Sequence, residues 1–430
     1  MKIIGIDIGT TSICGVVLDA RSGNVLQTKT VNSEAFTDTP NAWEKIQDPQ
    51  KILTVANGIL DSFLEENEGK ILAIGLTGQM HGIVYVDDAG HAVSPLYTWQ
   101  DGRGNLPYRD TTYAEYLGSF SGYGNVTDFY NRENGLVPAA AVSYCTIHDY
   151  LGMVLCGNKA PILHTSNAAS LGLYDIESKS FRYDYTARLT DAPEIIGSYR
   201  QIPVAVAIGD NQASVFSTLA DEGDVLINVG TGSQVSIVSR RPITGENIEC
   251  RPYMEGKYLI VGAALCGGRA YAALKNFYAQ LLKAAGCEGT DVYGLMDKLL
   301  ADKQETTLDV DTRFAGTRAN AELRGSIANI GMDNLTPSDL TVGVLYGMIR
   351  ELYGMYLSMG EARTGLVGSG NGIRKNKTLA RIAERVFGGR LRVPAYTEEA
   401  ACGAALFSLM AAKKGRKTAD VQRLIRYTEI

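Results

Sequence analysis

Apolar positions along this chain switch between two periods. Ile3 to Asp7, Ser12 to Leu18 and Val25 to Val31 are short runs rich in β-branched residues. They are separated by Gly9-Thr10-Thr11 and by Arg21-Ser22-Gly23-Asn24, a pattern that predicts three strands joined by tight turns. Ile52, Val55, Ile59, Leu60 and Phe63 then recur at helical spacing on one face, behind a Pro49 that a first helical turn tolerates. Ile71 to Leu76 returns to strand character and runs into Thr77-Gly78-Gln79-Met80-His81-Gly82. Strands alternating with helices predict an α/β architecture.

The opening pattern comes back in the second half. Residues 8–12 read Ile-Gly-Thr-Thr-Ser and residues 229–233 read Val-Gly-Thr-Gly-Ser, each between apolar strands: Ile3–Ile6 with Ile13–Leu18, then Val225–Ile227 with Val235–Val238. Glycine-threonine turns also occur in ordinary hairpins, so the weight lies in the repetition together with its flanking strands. It predicts two related domains, 1–220 and 221–430, facing each other across a ligand cleft. The copies differ at one informative place: Asp7 in the first is Asn228 in the second. A helix starting at Asp210 and another from Glu398 to Met410, rich in Ala400, Ala401, Gly403, Ala404 and Ala405, have small faces that admit close neighbours. Hinge helices at 210–220 and 398–410 are one reading, and ordinary tight packing is equally consistent with the residues.

Composition narrows the class. At ~150 residues per domain, 430 residues suggest two or three domains. A hydrophobic fraction of 45% with 20% charged residues is that of a globular chain. The net charge of -6 has the wrong sign for a broad nucleic-acid-binding surface. Seven cysteines at irregular spacing without a CxxC argue against a disulfide framework or a zinc site. Asp7 interrupts the first apolar run, unlike a signal peptide, and no run of ~18 apolar residues is available to span a membrane. A cytoplasmic monomer or homodimer is expected, with no nucleic-acid or membrane partner. The 47 glycines against 12 prolines suggest many close backbone approaches, as at phosphate sites.

Three glycine-rich turns can cradle phosphate: Gly9-Thr10-Thr11-Ser12, Gly230-Thr231-Gly232-Ser233 and Gly368-Ser369-Gly370-Asn371-Gly372. None ends in the Gly-Lys-Ser/Thr of a Walker loop. Asp7, closing a buried strand, either satisfies turn N–H groups or holds a hydrated Mg2+ against phosphates. Asp210 is either a helix cap or a general base for an attacking hydroxyl. Gln79, His81, Trp99, Gln100, Asp101 and Arg103 offer amides, carboxylate and an indole face, which suit a polyhydroxylated ligand. Taken singly, His81 is more often structural and Trp99 more often core. His148-Asp149 is a weaker pair, with helix capping as its competitor.

Read together, DIGTTS (7–12), WEKIQDP (43–49), TGQMHG (77–82), WQDGR (99–103), GD (209–210), NVGTGS (228–233), RG (324–325), GSGNG (368–372) and GAAL (403–406) resemble the FGGY carbohydrate kinases. That family has the two-domain actin/hexokinase-like (ribonuclease H-like) fold. TWQDGR, TIHDYLGMVLCG (146–157), SNAASLG (166–172) and IGDNQASVFSTLA (208–220) look most like the members acting on sedoheptulose, with xylulose-specific members next.

The resemblance implies an ATP- and Mg2+-dependent kinase that transfers the γ-phosphate to a terminal hydroxyl of a ketose. Carried over residue by residue, it implies Asp210 as the base and Asp7 as the Mg2+-associated carboxylate. It puts Thr10, Thr11, Gly230, Thr231 and Gly232 at phosphates, with Gly267 and Gly268 as a glycine pair near the nucleotide. Gly368, Gly370 and Asn371 lie at adenosine, joined by Asn376, while Gln79, Met80, His81, Trp99 and Asp101 hold sugar. A nucleotide switch of the same fold, or a sugar-binding protein without transfer, is the competing class. The first needs the glycine turns and Asp7 but has no use for QMHG or WQDGR.

Overall fold

The computed structural model describes residues 1–185, 187–317, 320–413 and 416–428. The chain forms two compact units. The first comprises Met1–Ala220, Arg251–Lys257 and Glu398–Arg426, and the second comprises Asp221–Cys250, Tyr258–Thr397 and Tyr427–Ile430. Each has its own hydrophobic core.

The first unit is built on a 7-stranded sheet. Its strands are β1 (Lys2–Ile8), β2 (Ser12–Asp19), β3 (Val25–Asn32), β4 (Ile71–Gly78), β5 (Ile195–Tyr199), β6 (Ile202–Ala205) and β7 (Ile208–Gly209). The order is β5-β6-β4-β1-β2-β3, with β7 pairing β4 near its end. The β1-β2-β3 meander is antiparallel, while β4 joins β1 in parallel. The Pro49–Glu66 helix starts at an Asp48 cap whose side chain accepts from Gln50 N and Lys51 N. Its apolar face, Ile52, Ile59, Leu60 and Phe63 included, is buried in the core as the spacing predicts.

The second unit repeats the plan. The strands of its sheet are β8 (Asp224–Val229), β9 (Ser233–Ser239), β10 (Ile248–Pro252, whose last two residues fall in the first unit), β11 (Tyr258–Ala264), β12 (Gly365–Ser369), β13 (Leu391–Pro394) and β14 (Tyr427–Thr428), in the order β10-β11-β9-β8-β12-β13-β14. Antiparallel β8-β9-β11 lies on one side and parallel β12 joins β8 on the other. This is the same arrangement as β1-β2-β3 with β4.

The Glu399–Ala412 helix departs from the sequence expectation. It follows the second domain in sequence but packs within the first unit. Glycine makes this possible. A Cβ on Gly5 or Gly75 would collide with the carbonyls of Ala401 or Ala404, and one on Gly403 with the carbonyl of Ala213. The helix therefore lies directly on β1, β4 and the Asp210–Thr218 helix, and Ser217 Oγ donates to Glu399 O at 2.7 Å.

Candidate active site

Parallel strands end together where the first unit gathers its polar residues. Asp7 pairs in register with Thr77, and Ile208 pairs with the same Thr77 from the other side. Ligands of open α/β sheets bind beyond such carboxyl ends. Past Gly209 the chain turns into the Asp210–Thr218 helix, so Asp210 sits in the first turn of that helix, two strands from Asp7. Gly209 supplies no side-chain cap.

The charges here are crowded. Asp7 is pushed up to about 7, first by loss of solvation and then by the negative charges of Asp210 and Glu398. Burial raises Asp210 to about 6, opposed by the Arg251 guanidinium and a hydrogen bond from Asn211 N. Burial also lowers Arg251, while Tyr123 and Asp210 oppose that shift. Asp210 thus has a cation acting against its charge, while Asp7 feels two further carboxylates. Among the described residues, no group of three or more His, Cys, Asp or Glu could hold a metal by itself. A phosphate-bridged Mg2+ needs only one or two protein carboxylates, and the surplus negative charge on Asp7 is what such an ion relieves, so this donor set fits it.

Around Asp7 the Gly9–Ser12 turn is held by side chains. Gln47 Nε2 donates to Thr10 O at 2.6 Å, and Gln79 Nε2 donates to Gln47 Oε1 at 2.9 Å. Gln79 is buried, and its Oε1 has no hydrogen-bond partner among the described residues. A buried orphan acceptor of this kind is a place for a ligand hydroxyl or a water. Thr11 is exposed. Trp99 Nε1 donates to Thr10 Oγ1 at 3.0 Å, and the indole is 47% exposed.

His81 adopts a left-handed backbone, φ 74°. Its Nδ1 lies 2.7 Å from the Ser170 carbonyl, which can only accept, so in the neutral ring Nδ1 carries the proton and Nε2 a lone pair. The ring stacks on Tyr123 at 4.2 Å. Met80 is buried.

Asp101 corrects the sequence expectation. It is 1% exposed and its carboxylate is consumed internally. Oδ1 accepts from Arg103 N and Nε at 3.1 and 2.6 Å, and Oδ2 accepts from Lys45 N at 3.0 Å. Arg103 in turn reaches Asn131 and lies over the Tyr97 ring. The WQDGR segment is therefore a buried clamp that presents Trp99 outward, and no carboxylate oxygen is left over for sugar.

The nucleotide candidates converge in the second unit. The Gly230–Gly232 turn links β8 to β9, and Gly268 N donates to Gly230 O at 3.0 Å while Arg269 N donates to Thr231 O at 3.1 Å. Gly267 has φ 33°, and a Cβ on Gly267 or Gly268 would strike the backbone of that turn. Thr231 and Gly232 are exposed. Asn228 Nδ2 donates to Ser369 Oγ at 2.7 Å, which ties β8 to the Gly368–Asn371 segment. Asn376 caps the Lys377–Phe387 helix through Leu379 N at 2.9 Å. Arg251, Glu398 and Tyr123 are the participants that no motif signals, and Gln47 lies in the WEKIQDP motif without being singled out by it.

With this geometry in place, likeness to known proteins becomes specific. Residues 2–109 match the N-terminal domain of the FGGY family of carbohydrate kinases and residues 225–412 match its C-terminal domain. The chain belongs to the FGGY family of carbohydrate kinases. It is an ATP-dependent sugar kinase. Mouse sedoheptulokinase is 29% identical and human sedoheptulokinase 27% identical, each match covering 89% of this chain and 92% of the relative. The fold is that of a ligand-bound xylulose kinase from Lactobacillus acidophilus, at a TM-score of 0.83 and 16% identity, covering 100% of this chain and 93% of that one. A xyloylose kinase from Brucella ovis gives 0.82 at 19% identity, with 98% and 92% covered. Among the described residues, no helix of this FGGY chain is long and apolar enough to cross a membrane.

Proposed function

We propose that this kinase phosphorylates sedoheptulose on its terminal primary hydroxyl, giving sedoheptulose 7-phosphate, with Asp210 as the general base. The observation that carries the assignment of the base is the position of Asp210 just past the carboxyl end of the first sheet's parallel strands, where its charge acts on Asp7 and is opposed by Arg251. Support for the seven-carbon ketose comes from the two sedoheptulokinase relatives, which span nearly the whole chain.

In this reading Trp99, His81 and the orphan Gln79 Oε1 hold the sugar. Met80 shapes the floor. Asp210 accepts the proton of the attacking hydroxyl as its oxygen bonds to the γ-phosphorus of ATP and the bond to the ADP oxygen breaks. Within the first unit Thr10 and Thr11 offer donors to phosphate; within the second Thr231 and Gly232 do so from a turn closed by the bond from Gly230 N to Gly232 O. Gly267, Gly268, Gly368, Gly370 and Asn371 form the nucleotide cradle. Asp7 would hold Mg2+, which when bound supplies neutralisation of phosphate charge.

A carboxyl raised to about 6 is a base only above that pH, so turnover should fall as pH drops through about 6. The test of the substrate is ADP release with sedoheptulose, xylulose, ribulose and gluconate. The highest kcat/KM should fall on sedoheptulose. Preference for a five-carbon ketose would remove the sedoheptulose assignment, and ATP turnover indifferent to every sugar would favour the switch class.

A further inference from the structure

The helix that Asp210 opens has no side-chain cap, so the backbone leading into it must be held from elsewhere. Each of the three residues ahead of it has a main-chain group gripped by a buried side chain. Asn167 Nδ2 donates to Ala207 O at 3.1 Å, Thr77 Oγ1 donates to Ile208 O at 2.7 Å, and Gly209 N donates to Ser166 Oγ at 3.0 Å. All three side chains are buried.

The grips are themselves fixed. Ser166 Oγ lies 2.8 Å from His164 Nδ1, and that same nitrogen accepts from Ser166 N. Nδ1 is therefore the lone-pair nitrogen, so the serine hydrogen points to His164 and its lone pair to Gly209. Asn167 Oδ1 faces His148 Nε2 at 2.9 Å, and its other amide hydrogen goes to Asp149 Oδ1 at 2.8 Å. Thr146 Oγ1 completes the chain by donating to Asp149 Oδ2 at 2.6 Å. Every hydrogen of the Asn167 amide is spoken for, so the amide cannot flip. Burial lowers both histidines to about 4, which keeps them neutral, as these roles require.

We propose that Thr77, Ser166 and Asn167 are positioning residues for phosphoryl transfer, holding the 207–209 backbone so that the Asp210 carboxylate meets the attacking hydroxyl at the reactive angle. The inference rests on the reading of Asp210 as the base. It gives the SNAASLG and TIHDYLG segments a task that is neither substrate contact nor simple core filling. Although His148 Nδ1 and His164 Nε2 have no partner among the described residues, the polar atoms of Thr77, Ser166 and Asn167 that grip the backbone are each engaged, which favours one arrangement, and small errors in the aim of a base are costly to rate.

The test compares Thr77→Val and Ser166→Ala with the rescue variants Thr77→Ser and Ser166→Thr, alone and with Asp210→Asn. Folding is followed by thermal melts. Each disruptive variant should lose about 10- to 100-fold in kcat while both KM values stay within about two-fold, and Thr77→Ser should regain most of the loss. In the Asp210→Asn background, Thr77→Val and Ser166→Ala should cost nothing further, because the group they aim is gone. A folded Thr77→Val or Ser166→Ala protein with wild-type kcat, or an equal loss in the Asp210→Asn background, overturns the proposal. Wild-type turnover by Asp210→Asn alone removes the base assignment instead. If either disruptive variant does not fold, the other carries the same comparison.

Discussion

The Gly9–Ser12 turn of the first unit and the Gly230–Ser233 turn of the second link equivalent strands, yet they are held in different ways. In the first, side chains reach in: Gln47 to the Thr10 carbonyl and Trp99 to the Thr10 hydroxyl. In the second, the turn rests on the backbone of Gly267–Arg269. The residue before each turn differs in the same sense. Asp7 keeps a charge that Asp210 and Glu398 oppose, whereas Asn228 is neutral and bonds across the sheet to Ser369. One copy of the pattern keeps unresolved charge, and so chemistry. The other is neutral and is held by main-chain bonds, the kind of turn that the proposed function would use for phosphate.

The sharpest way to break that contrast is Asp210→Ala. Removing a general base should cost about 10²- to 10⁴-fold in kcat, while nucleotide binding, measured by calorimetry, stays near wild type. A mutant turning over at the wild-type rate would show that the first unit does not carry the proton transfer. Gly268→Val attacks the other copy. The added side chain meets the Gly230 carbonyl, backbone that cannot swing aside. The apparent KM for ATP should rise by about 10-fold or more, with the sugar KM changed far less. Equal effects on both substrates would mean the second turn is not a dedicated nucleotide element.

Trp99→Ala is milder and tests the first copy from its exposed edge. It removes an indole face and the bond to Thr10. The sugar KM should rise about 5- to 50-fold, since an aromatic contact and one hydrogen bond are worth about 1 to 2 kcal/mol. A rise confined to ATP would relocate the sugar pocket.

What could be read in advance follows the range of the interactions. Strands, turns and the Pro49 helix are local patterns, and they appear where the apolar periods put them. The paired turns were legible because each is a short run with its own glycines. The charge partners are not: Arg251 reaches Asp210 and Glu398 reaches Asp7 through folding that no spacing encodes. The 399–412 helix was assigned by sequence order to the wrong unit, although the glycines that admit it, Gly5 and Gly75, lie in plain view within strands. Asp101 was misread for a different reason. A carboxylate in a dense polar motif looked like a ligand, when an Asp two residues before an Arg at a short helical turn also fits a cap and clamp. SNAASLG is legible in sequence only as likeness, because its targets, Ala207 and Gly209, lie some forty residues away.

The smallest expected effect separates a structural asparagine from a ligand in the second unit. Asn376 stands just after the Gly370–Lys375 helix, close in sequence to the adenosine candidates, and resemblance suggests a nucleotide contact. The structure gives its Oδ1 to Leu379 N, the cap of a helix whose buried Leu379, Ile382 and Ala383 belong to the second core. An oxygen satisfied by a cap has less to offer a base. Asn376→Ala should therefore lower stability by about 1 kcal/mol, the usual cost of losing such a cap, seen as a lower denaturation midpoint. Asn376→Asp and Asn376→Ser keep a capping oxygen and should recover most of it. Through all three substitutions the KM for ATP should move by less than about two-fold. If Asn376→Ser restores the melt but leaves ATP binding weak, then the amide, and not the cap, is what the nucleotide uses, and the second cradle would recruit a side chain as the first one does.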